Sequence, residues 1–427
     1  MRLATTAGIW VLGLWGLQST VAWGNAALDF LEAELGEEEL QAENVSEEDP
    51  VEASKKVVEA VEDPSLPTRW NPELVPLLSV NLAPTEGDTL ALRGLYEWRL
   101  DHGEVDVFGG DGQKVDSSRA RRARLGVALK TFYQTELQAD VLFEGDADYA
   151  GIETLMARVP VGDSLLISGG KFPPPFTLEY TQDAAVRWTR ELSPMVAQMV
   201  PASSLGLMAQ GRSERWDWKL GWFSGDADRD VPSWRGDGYL LAGLGYSAYA
   251  IPPAGGDPGA SAWHRWHLDY IYNADGARSR SVPMGYEHLL ATGFQYSSGR
   301  VDFMNDFLMA RGDASSAYGL TMTGGYWLME DALRMVARFD YGKSNDPGGI
   351  LAGWGVPAGG AEALQPFSYP VMHAGGELYS IYAGLDLFLY DQNLILSSGL
   401  EMRTLKEVID SGDIDSLIWQ TGGRIAF

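Results

Sequence analysis

The sequence predicts an all-β fold, a 16-stranded antiparallel transmembrane β-barrel preceded by a short acidic N-terminal segment, helical or disordered. Three observations indicate this fold class. Apolar and polar residues alternate with a period of two over runs of about ten residues, the pattern of strands that cross a bilayer at a tilt. The connections between these runs alternate between long and short. The chain of 427 residues ends in an aromatic strand and contains fifty glycines but no cysteine.

Composition excludes several classes of protein. The absence of cysteine excludes a disulfide scaffold, a thiolate metal site and a lipid-modified N-terminal cysteine. A formal net charge of −27 opposes binding to nucleic acid, so we expect no nucleic-acid partner.

The first 24 residues have the features of a secretory signal peptide. Arg2 gives a short basic region, residues 7–17 are apolar, and Ala22-Trp23-Gly24 supplies small residues before a cut at Asn25. The apolar core is too short for a membrane-spanning helix, which needs roughly 20 apolar residues. We therefore expect cleavage and export.

Residues 25–88 form an acidic periplasmic segment followed by a proline-rich connector. Residues 25–63 contain fourteen acidic residues against Lys55 and Lys56. Leucine and valine at helical spacing predict two short amphipathic helices, which suit a coiled coil or a tether. Repulsion between like charges favours a solvated linker instead, and the sequence leaves both alternatives open.

The barrel is predicted to cover residues 89–427. In its first strand Leu92, Tyr96 and Trp98 alternate with Arg93 and Arg99, so one face is apolar and the other polar. The sixteen predicted strands are 89–100, 121–132, 135–145, 149–160, 164–172, 205–212, 215–226, 239–249, 263–273, 287–299, 301–312, 317–329, 331–343, 377–390, 394–406 and 417–427. Sixteen is an even number, as expected for a bacterial outer-membrane barrel.

The connections provide an independent criterion, because such barrels have long loops on one side and short turns on the other. Long connections follow the odd-numbered predicted strands 1, 5, 7, 9, 13 and 15, and short ones follow the even-numbered strands 2, 4, 6, 10, 12 and 14. Two connections depart from this parity: strands 3 and 4 join tightly, and residues 250–262 form a long link on the short side. A soluble β-sandwich has no reason to follow such a parity.

The last strand carries a further signal. It ends in Phe427, with Ile425 and Trp419 on the same face. Terminal aromatic strands of this kind resemble the recognition signal for the outer-membrane assembly machinery. We therefore expect this machinery and outer-membrane lipid as partners.

The fifth strand stops abruptly in "GGKFPPPFTLEYTQDAAVRWTREL", residues 169–192. Three successive prolines cannot donate ladder hydrogen bonds, so they end the strand. The stretch resembles the hallmark segment of the phosphate-selective porin O and P family, including its Arg190-Glu191 pair. "RRARLGVALKTFYQTELQADVLF" and "YAGLDLFLYDQNLILSSGLEM" are similar to two further segments of that family.

The resemblance implies a passive diffusion channel for small hydrophilic solutes in the outer membrane of a Gram-negative-type cell. Members of the family are usually homotrimers, and their third loop folds into the lumen and narrows it. The family includes channels that prefer anions or phosphate, but this chain is acidic overall, so the sequence leaves open whether the channel shares that preference. The expected constriction residues of the loop are Glu179, Asp183, Arg187, Arg190 and Glu191.

The strand phase also predicts basic residues that face the lumen. Most lie on one arc of the wall: Arg93, Arg99, Arg122, Arg124, Lys130, Arg334, Arg338, Arg403 and Arg424. The resemblance suggests a ladder of arginines that guides anions. The alternative is a polar wall of salt bridges, because acidic residues face inward by the same phase: Glu136, Asp140, Glu144, Asp302, Asp306, Asp386 and Glu401.

Signals for catalysis are weak, and we expect no enzyme, no metal and no cofactor. His264 and His267 would point to opposite faces of a strand, which makes a poor metal pair. An outer-membrane lipase would need a serine and histidine pair that the sequence does not offer. The remaining alternative is a structural protein whose barrel anchors it while the acidic segment tethers the outer membrane.

Overall fold

A computed structural model describes residues 78–81, 89–107, 113–131, 133–144, 148–182, 184, 187–228, 230–234, 238–250, 262–276, 279, 281–313, 315–346, 349–354, 371–390, 393–408 and 412–427. All of them belong to one compact unit, Arg69–Phe427. The predicted signal peptide and the acidic segment, residues 25–63, lie outside the described residues, so the tether hypothesis stays a prediction.

The described strands are β1 (Leu78–Asn81), β2 (Thr89–Val107), β3 (Gln113–Lys130), β4 (Glu136–Glu144), β5 (Asp148–Val161), β6 (Leu165–Phe172), β7 (Ser204–Ser213), β8 (Trp216–Phe223), β9 (Tyr239–Ala250), β10 (Ala262–Asn273), β11 (His288–Ser298), β12 (Val301–Arg311), β13 (Ser316–Met329), β14 (Leu333–Ser344), β15 (Ile350–Trp354), β16 (Val371–Gly375), β17 (Glu377–Tyr390), β18 (Leu394–Val408) and β19 (Gly412–Ala426).

One antiparallel sheet contains seventeen of these strands, and all of them except β1 form a closed barrel of sixteen. Each predicted strand corresponds to one strand of the barrel, so the predicted fold class is confirmed. Each barrel strand pairs with the next barrel strand in the chain. β14 and β17 also pair, and the segment between them contains the separate β15–β16 hairpin. The last strand, β19, pairs with β2 and closes the sheet. Closure leaves no long unpaired edge, a requirement for a sheet surrounded by lipid.

The seam of the barrel includes the last residue of the chain. The backbone N–H of Gly94 donates to the carbonyl of Phe427 at 2.7 Å, and the N–H of Phe427 donates back at 3.0 Å. The Phe427 ring covers Gly94, where any larger side chain would overlap it. Beyond this point β1 pairs with β2, Leu78 opposite Leu92, and extends the line of β19. The role of Phe427 as an assembly signal stays a prediction.

The two faces of the barrel wall differ in polarity as the alternation predicts. Outward side chains are exposed and apolar or aromatic, for example Trp216, Trp266 and Trp419, each at least half exposed. Inward side chains at alternate positions are mostly buried, and many of them are charged. Such an outer face is typical of a barrel surrounded by lipid. Within the described part of the chain, no helix is long and apolar enough to cross a membrane.

Two predicted long loops are wrong. The connections after the first and fifteenth predicted strands are largely strand, because β2 extends to Val107, β3 begins at Gln113, β18 extends to Val408 and β19 begins at Gly412. The sequence did not reveal the continued pairing because the polarity of the two faces is reversed there. The outward residues His102, Glu104 and Asp106 are polar, whereas the inward residues Val105, Leu405 and Ile414 are apolar and buried. The β15–β16 hairpin was also not predicted from the sequence.

Loop 3, residues 173–203, joins β6 to β7 and contains the helices α1 (Leu178–Thr181) and α2 (Pro194–Met199). Each helix has a side-chain N-cap: Thr177 accepts from the N–H of Tyr180 and Ser193 accepts from the N–H of Val196. All six residues of α2 are buried. The loop therefore lies inside the barrel rather than on its rim.

The wall accommodates α2 through a pair of facing glycines. Gly319 on β13 lies directly opposite Gly342 on β14. Met195 of α2 occupies the space that side chains would take at both positions. The absence of two side chains thus creates the depression in which the helix packs.

Replacing Gly342 by valine should displace α2. The new side chain would overlap Met195, and overpacking of this kind costs about 1–3 kcal/mol. We expect faster tryptic cleavage of loop 3 in detergent. Gly324→Val on β13 is the matched control, because the nearest heavy atom to its added Cβ is 3.8 Å away. Equal cleavage rates in the two variants would contradict this packing.

Candidate functional site

Loop 3 is fixed to the wall at its start by two aspartates. The backbone N–H of Thr177 donates to Asp269 on β10 at 3.1 Å, and that of Glu179 donates to Asp306 on β12 at 3.0 Å. His267 lies between the two carboxylates, with its ring nitrogens 3.0 Å from Asp269 and 2.8 Å from Asp306. The first helix of the loop is therefore held by charge-assisted hydrogen bonds.

The middle of loop 3 is fixed to the opposite wall by Glu191. Its two carboxylate oxygens accept from two guanidiniums, Arg99 on β2 and Arg121 on β3. Arg99 also donates to Asp101, and Arg121 donates to Glu97 at 2.7 Å. We refer to Arg99 and Arg121 as the arginine clamp.

A β-bulge turns Arg121 into the lumen. On β3, Arg122 lies opposite Glu97, whereas Ala120 lies opposite Trp98, so Arg121 has no cross-strand partner on β2. One extra residue shifts the strand phase, so a strict period of two, which puts Arg122 and Arg124 in the lumen, cannot also put Arg121 there. Sequence reasoning missed this residue, and the signal that could have found it was the pair of adjacent arginines, Arg121 and Arg122, which a period of two places on opposite faces.

Arg338 on β14 holds the same part of the loop through polar groups. Its guanidinium donates to the Thr189 hydroxyl at 3.1 Å and to the backbone carbonyl of Glu191 at 2.7 Å. On the wall side it lies 3.0 Å from Glu401 and 2.9 Å from Asp340. Its side chain is only 2% exposed, so these contacts compensate a fully buried charge.

Arg334 on β14 is also buried under loop 3. It donates to Asp386 at 2.9 Å, and its guanidinium lies 6.0 Å from the ring of Trp188, a residue of the loop. The rings of Trp327 and Phe388 lie at 5.4 Å and 5.1 Å. Aromatic faces attract cations at these distances.

Three further arginines have no carboxylate partner within 4.0 Å among the described residues: Arg187 and Arg190 in loop 3, and Arg424 on β19 beneath it. Arg187 donates to the carbonyl of Gln182 at 3.4 Å, and Arg190 donates to that of Trp98 at 3.0 Å. Arg424 donates to the carbonyls of Ala184 and Arg187. The Nε atoms of all three are buried without a hydrogen-bond partner in the described part of the chain, as is Nη2 of Arg190.

Four other predicted lumen residues lie on β2 and β3. Arg93 is 4.0 Å from Asp140, Arg124 is 3.4 Å from Glu153, Arg122 is partly buried and Lys130 is exposed. Arg403, back under the loop, lies 2.8 Å from Glu401. Asp183 and the side chain of Glu144 lie outside the described residues.

Charges on the lumen wall therefore fall into two sets. Beneath loop 3, most inward arginines of β2 and β14 to β19 and their acids are buried. Two ion pairs stay partly exposed, although Asp140 on β4 and Asp269 on β10 are buried. The side chains of Arg158 and Glu136 are 39% and 31% exposed, and those of Arg265 and Asp217 are 32% and 33% exposed. Water reaches the second set.

The sequence predicted many inward residues but few of their partners. Asp101 lies just beyond the predicted end of the first strand, and continued alternation from Arg99 would have found it. Glu153 is a bulge residue on β5, as Arg121 is on β3, and the period of two cannot place it. No group of three metal-ligating residues occurs in the described part of the chain.

The two described carboxylates of loop 3, Glu179 and Glu191, have opposite electrostatic surroundings. Burial raises the pKa of Glu179 to about 7, although Arg338 opposes the shift. Burial would also raise the pKa of Glu191, but Arg121 and Arg99 outweigh it and hold that pKa well below its usual range. Glu191 is therefore ionised at neutral pH, whereas Glu179 has a pKa of about 7.

Comparison with solved structures identifies the architecture. The outer-membrane channel DcaP of Acinetobacter baumannii is 12% identical, with a TM-score of 0.51, and the match covers 82% of this chain and 100% of that chain. OmpF of Salmonella typhi, solved in complex with daunomycin, gives the same four values. The fold is that of outer-membrane channels. No protein-family profile and no curated protein sequence matches this chain.

Glu179→Gln should change the pH dependence of stability. The pKa of Glu179 is higher in the folded protein than in the unfolded chain, so the protonated side chain stabilises the fold. This stabilisation is complete below about pH 4.5 and is lost as the pH rises through about 7. Glutamine imitates the protonated form. The variant should therefore unfold in detergent at the wild-type temperature at pH 4.5 and at a higher temperature at pH 8.

Glu191→Gln provides the control with the opposite sign. The pKa of Glu191 is lowered in the folded wild-type protein, which means that the ionised carboxylate stabilises the fold. Glu191→Gln should therefore unfold at a lower temperature than the wild type at pH 8. A Glu179→Gln difference that does not vary between pH 4.5 and pH 8 would contradict the placement of Glu179 in a desolvated site.

Proposed function

We propose that this chain is an outer-membrane channel through which small hydrophilic solutes diffuse passively. The observation that carries the proposal is that two ion pairs of the lumen wall, Arg158 with Glu136 and Arg265 with Asp217, are open to water inside a closed sixteen-stranded barrel. A barrel of this size leaves an aqueous interior unless it is filled. Loop 3 fills one side, and charged side chains on the other side keep the remaining space wet.

We further propose that the narrow part of the channel prefers small anions. Arg187, Arg190 and Arg424 lie under or in loop 3 and donate mainly to backbone carbonyls, which do not neutralise a guanidinium. A surplus of positive charge at low dielectric attracts anions and repels cations. The resemblance of residues 169–192 to phosphate-selective porins makes phosphate the first anion to test.

The remaining proposals concern the surroundings of the barrel. The exposed aromatic outer face fits insertion into outer-membrane lipid. Recognition of Phe427 by the assembly machinery and association into a homotrimer follow from the resemblance. Cross-linking of the protein in native membranes would test the trimer.

Planar-bilayer recording of the purified protein tests the channel. We expect ohmic conductance, and with a potassium chloride gradient we expect a reversal potential of the sign for anion selectivity. Added phosphate should reduce the chloride current, since both anions compete for the same guanidiniums. Absence of conductance would refute the channel, and a cation-selective reversal potential unaffected by phosphate would refute the anion preference alone.

Arg190→Gln should reduce anion selectivity. The substitution removes one positive charge whose Nη2 and Nε have no hydrogen-bond partner in the described structure, so we expect the ratio of chloride to potassium permeability to fall about two- to tenfold. Arg300→Gln in the exposed turn between β11 and β12 is the matched control and should leave this ratio unchanged. The same ratio in wild type and Arg190→Gln would exclude Arg190 from the ion path.

A further inference from the structure

The carboxylate of Glu191 occupies the arginine clamp in the manner of a bound ligand. Each of its oxygens accepts from a different guanidinium, one on β2 and one on β3. Among the described residues, the ion pairs that join loop 3 to the wall are these two. Elsewhere under the loop, acids and bases of the wall pair with one another, as Arg334 does with Asp386.

The clamp is held in position without the help of Glu191. Asp101, two residues along β2, accepts from Nε of Arg99, and Glu97 on the same strand accepts from Nη1 of Arg121. Both guanidiniums therefore keep a wall partner when the loop carboxylate is removed. A binding site of this kind is preorganised, and preorganisation lowers the cost of binding.

The backbone of the loop also stays in position without that carboxylate. Arg338 donates to the carbonyl of Glu191 and to the hydroxyl of Thr189, and Arg190 donates to the carbonyl of Trp98. These bonds involve neither oxygen of the Glu191 side chain. Truncation of that side chain would thus leave a cavity beside two oriented guanidiniums rather than a collapsed loop.

The local charge favours an anion in that cavity. The positive groups that face Glu191 are Arg99, Arg121 and Arg122, and the other carboxylates at the clamp are Glu97 and Asp101. Without Glu191, three positive charges meet two negative ones, which leaves a surplus of +1. The planar carboxylate matches two converging guanidiniums better than a spherical anion does.

We propose that the arginine clamp is a binding site for the carboxylate group of a small solute, and that Glu191 is a tethered ligand that occupies it. The proposal deepens the proposed function, because the solute reaches the clamp through the lumen. A tethered carboxylate acts at an effective concentration on the order of millimolar or higher, so free carboxylates bind only when they exceed it. Glu191 thereby sets the concentration at which a carboxylate solute enters the site.

Chemical rescue tests the proposal. Glu191→Ala removes the tethered ligand, and propionate is the free analogue of the glutamate side chain. In planar bilayers we expect propionate to reduce the conductance of Glu191→Ala in a saturable manner. The half-maximal concentration should be at least tenfold lower than in the wild type. Propionamide, which is neutral and has a similar shape, should have no effect.

Two variants control the experiment. Glu179→Ala removes the other buried carboxylate of loop 3, which accepts from the Ser193 N–H and not from a guanidinium, and it should respond to propionate as the wild type does. Arg121→Gln combined with Glu191→Ala removes half of the clamp and should abolish the saturable effect. If Glu191→Ala does not fold, Glu191→Ser replaces it, since serine also removes the carboxylate and leaves room for propionate, and the same tenfold shift is expected.

A second measurement separates this proposal from the proposed function. Absence of conductance in every variant would refute the channel, but the unfolding temperature would still report binding. Propionate should raise the unfolding temperature of Glu191→Ala and leave that of Glu179→Ala unchanged. If propionate changes neither the conductance nor the unfolding temperature of Glu191→Ala, Glu191 is a structural latch and the binding site is refuted.

Discussion

The interior of this barrel depends on one constraint: a loop that enters a closed sheet must find partners for its polar groups on the wall. Loop 3 meets this constraint at both ends of its path. Asp269 and Asp306 accept from its first helix, while Arg99, Arg121 and Arg338 bind its later part. Each of these wall residues also has a partner on the wall, as Arg99 has in Asp101 and Asp306 has in His267, and the loop completes its set of contacts. The loop and the charged wall therefore stabilise each other.

This mutual dependence divides the lumen into two sides. Where the loop lies, the arginines of the wall are buried and bound to acids, carbonyls or aromatic rings. On the opposite side, ion pairs such as Arg158 with Glu136 remain open to water. Counting lumen arginines from the sequence cannot distinguish these environments. Arg334 pairs with a buried acid, whereas Arg190 donates to a backbone carbonyl, and the proposed anion preference depends on this difference.

The strands were predictable because a bilayer imposes the same rule on each of them. Every outward position must be apolar over the membrane thickness, so the period of two appears in each strand and even short stretches identify it. Residues 101–107 of β2 and 113–120 of β3 do not follow this rule, since outward residues such as Glu104 are polar, and the sequence therefore does not predict these parts of the strands. The loop helices were missed for a related reason: α1 and α2 are too short to show a helical period, and their burial comes from the wall.

The sequence by itself determined the sixteen-stranded barrel, the lumen face of the strands away from bulges, and the abrupt exit of the chain at Pro173, because these depend on local periodicity and on the missing N–H of proline. Only the tertiary structure decided the partners of the charges. The bulges at Arg121 and Glu153 reverse the strand phase, and the path of loop 3 brings Glu191 to residues about 70 and 92 positions away. Such pairings depend on where the loop crosses the lumen, and no local pattern encodes that distance.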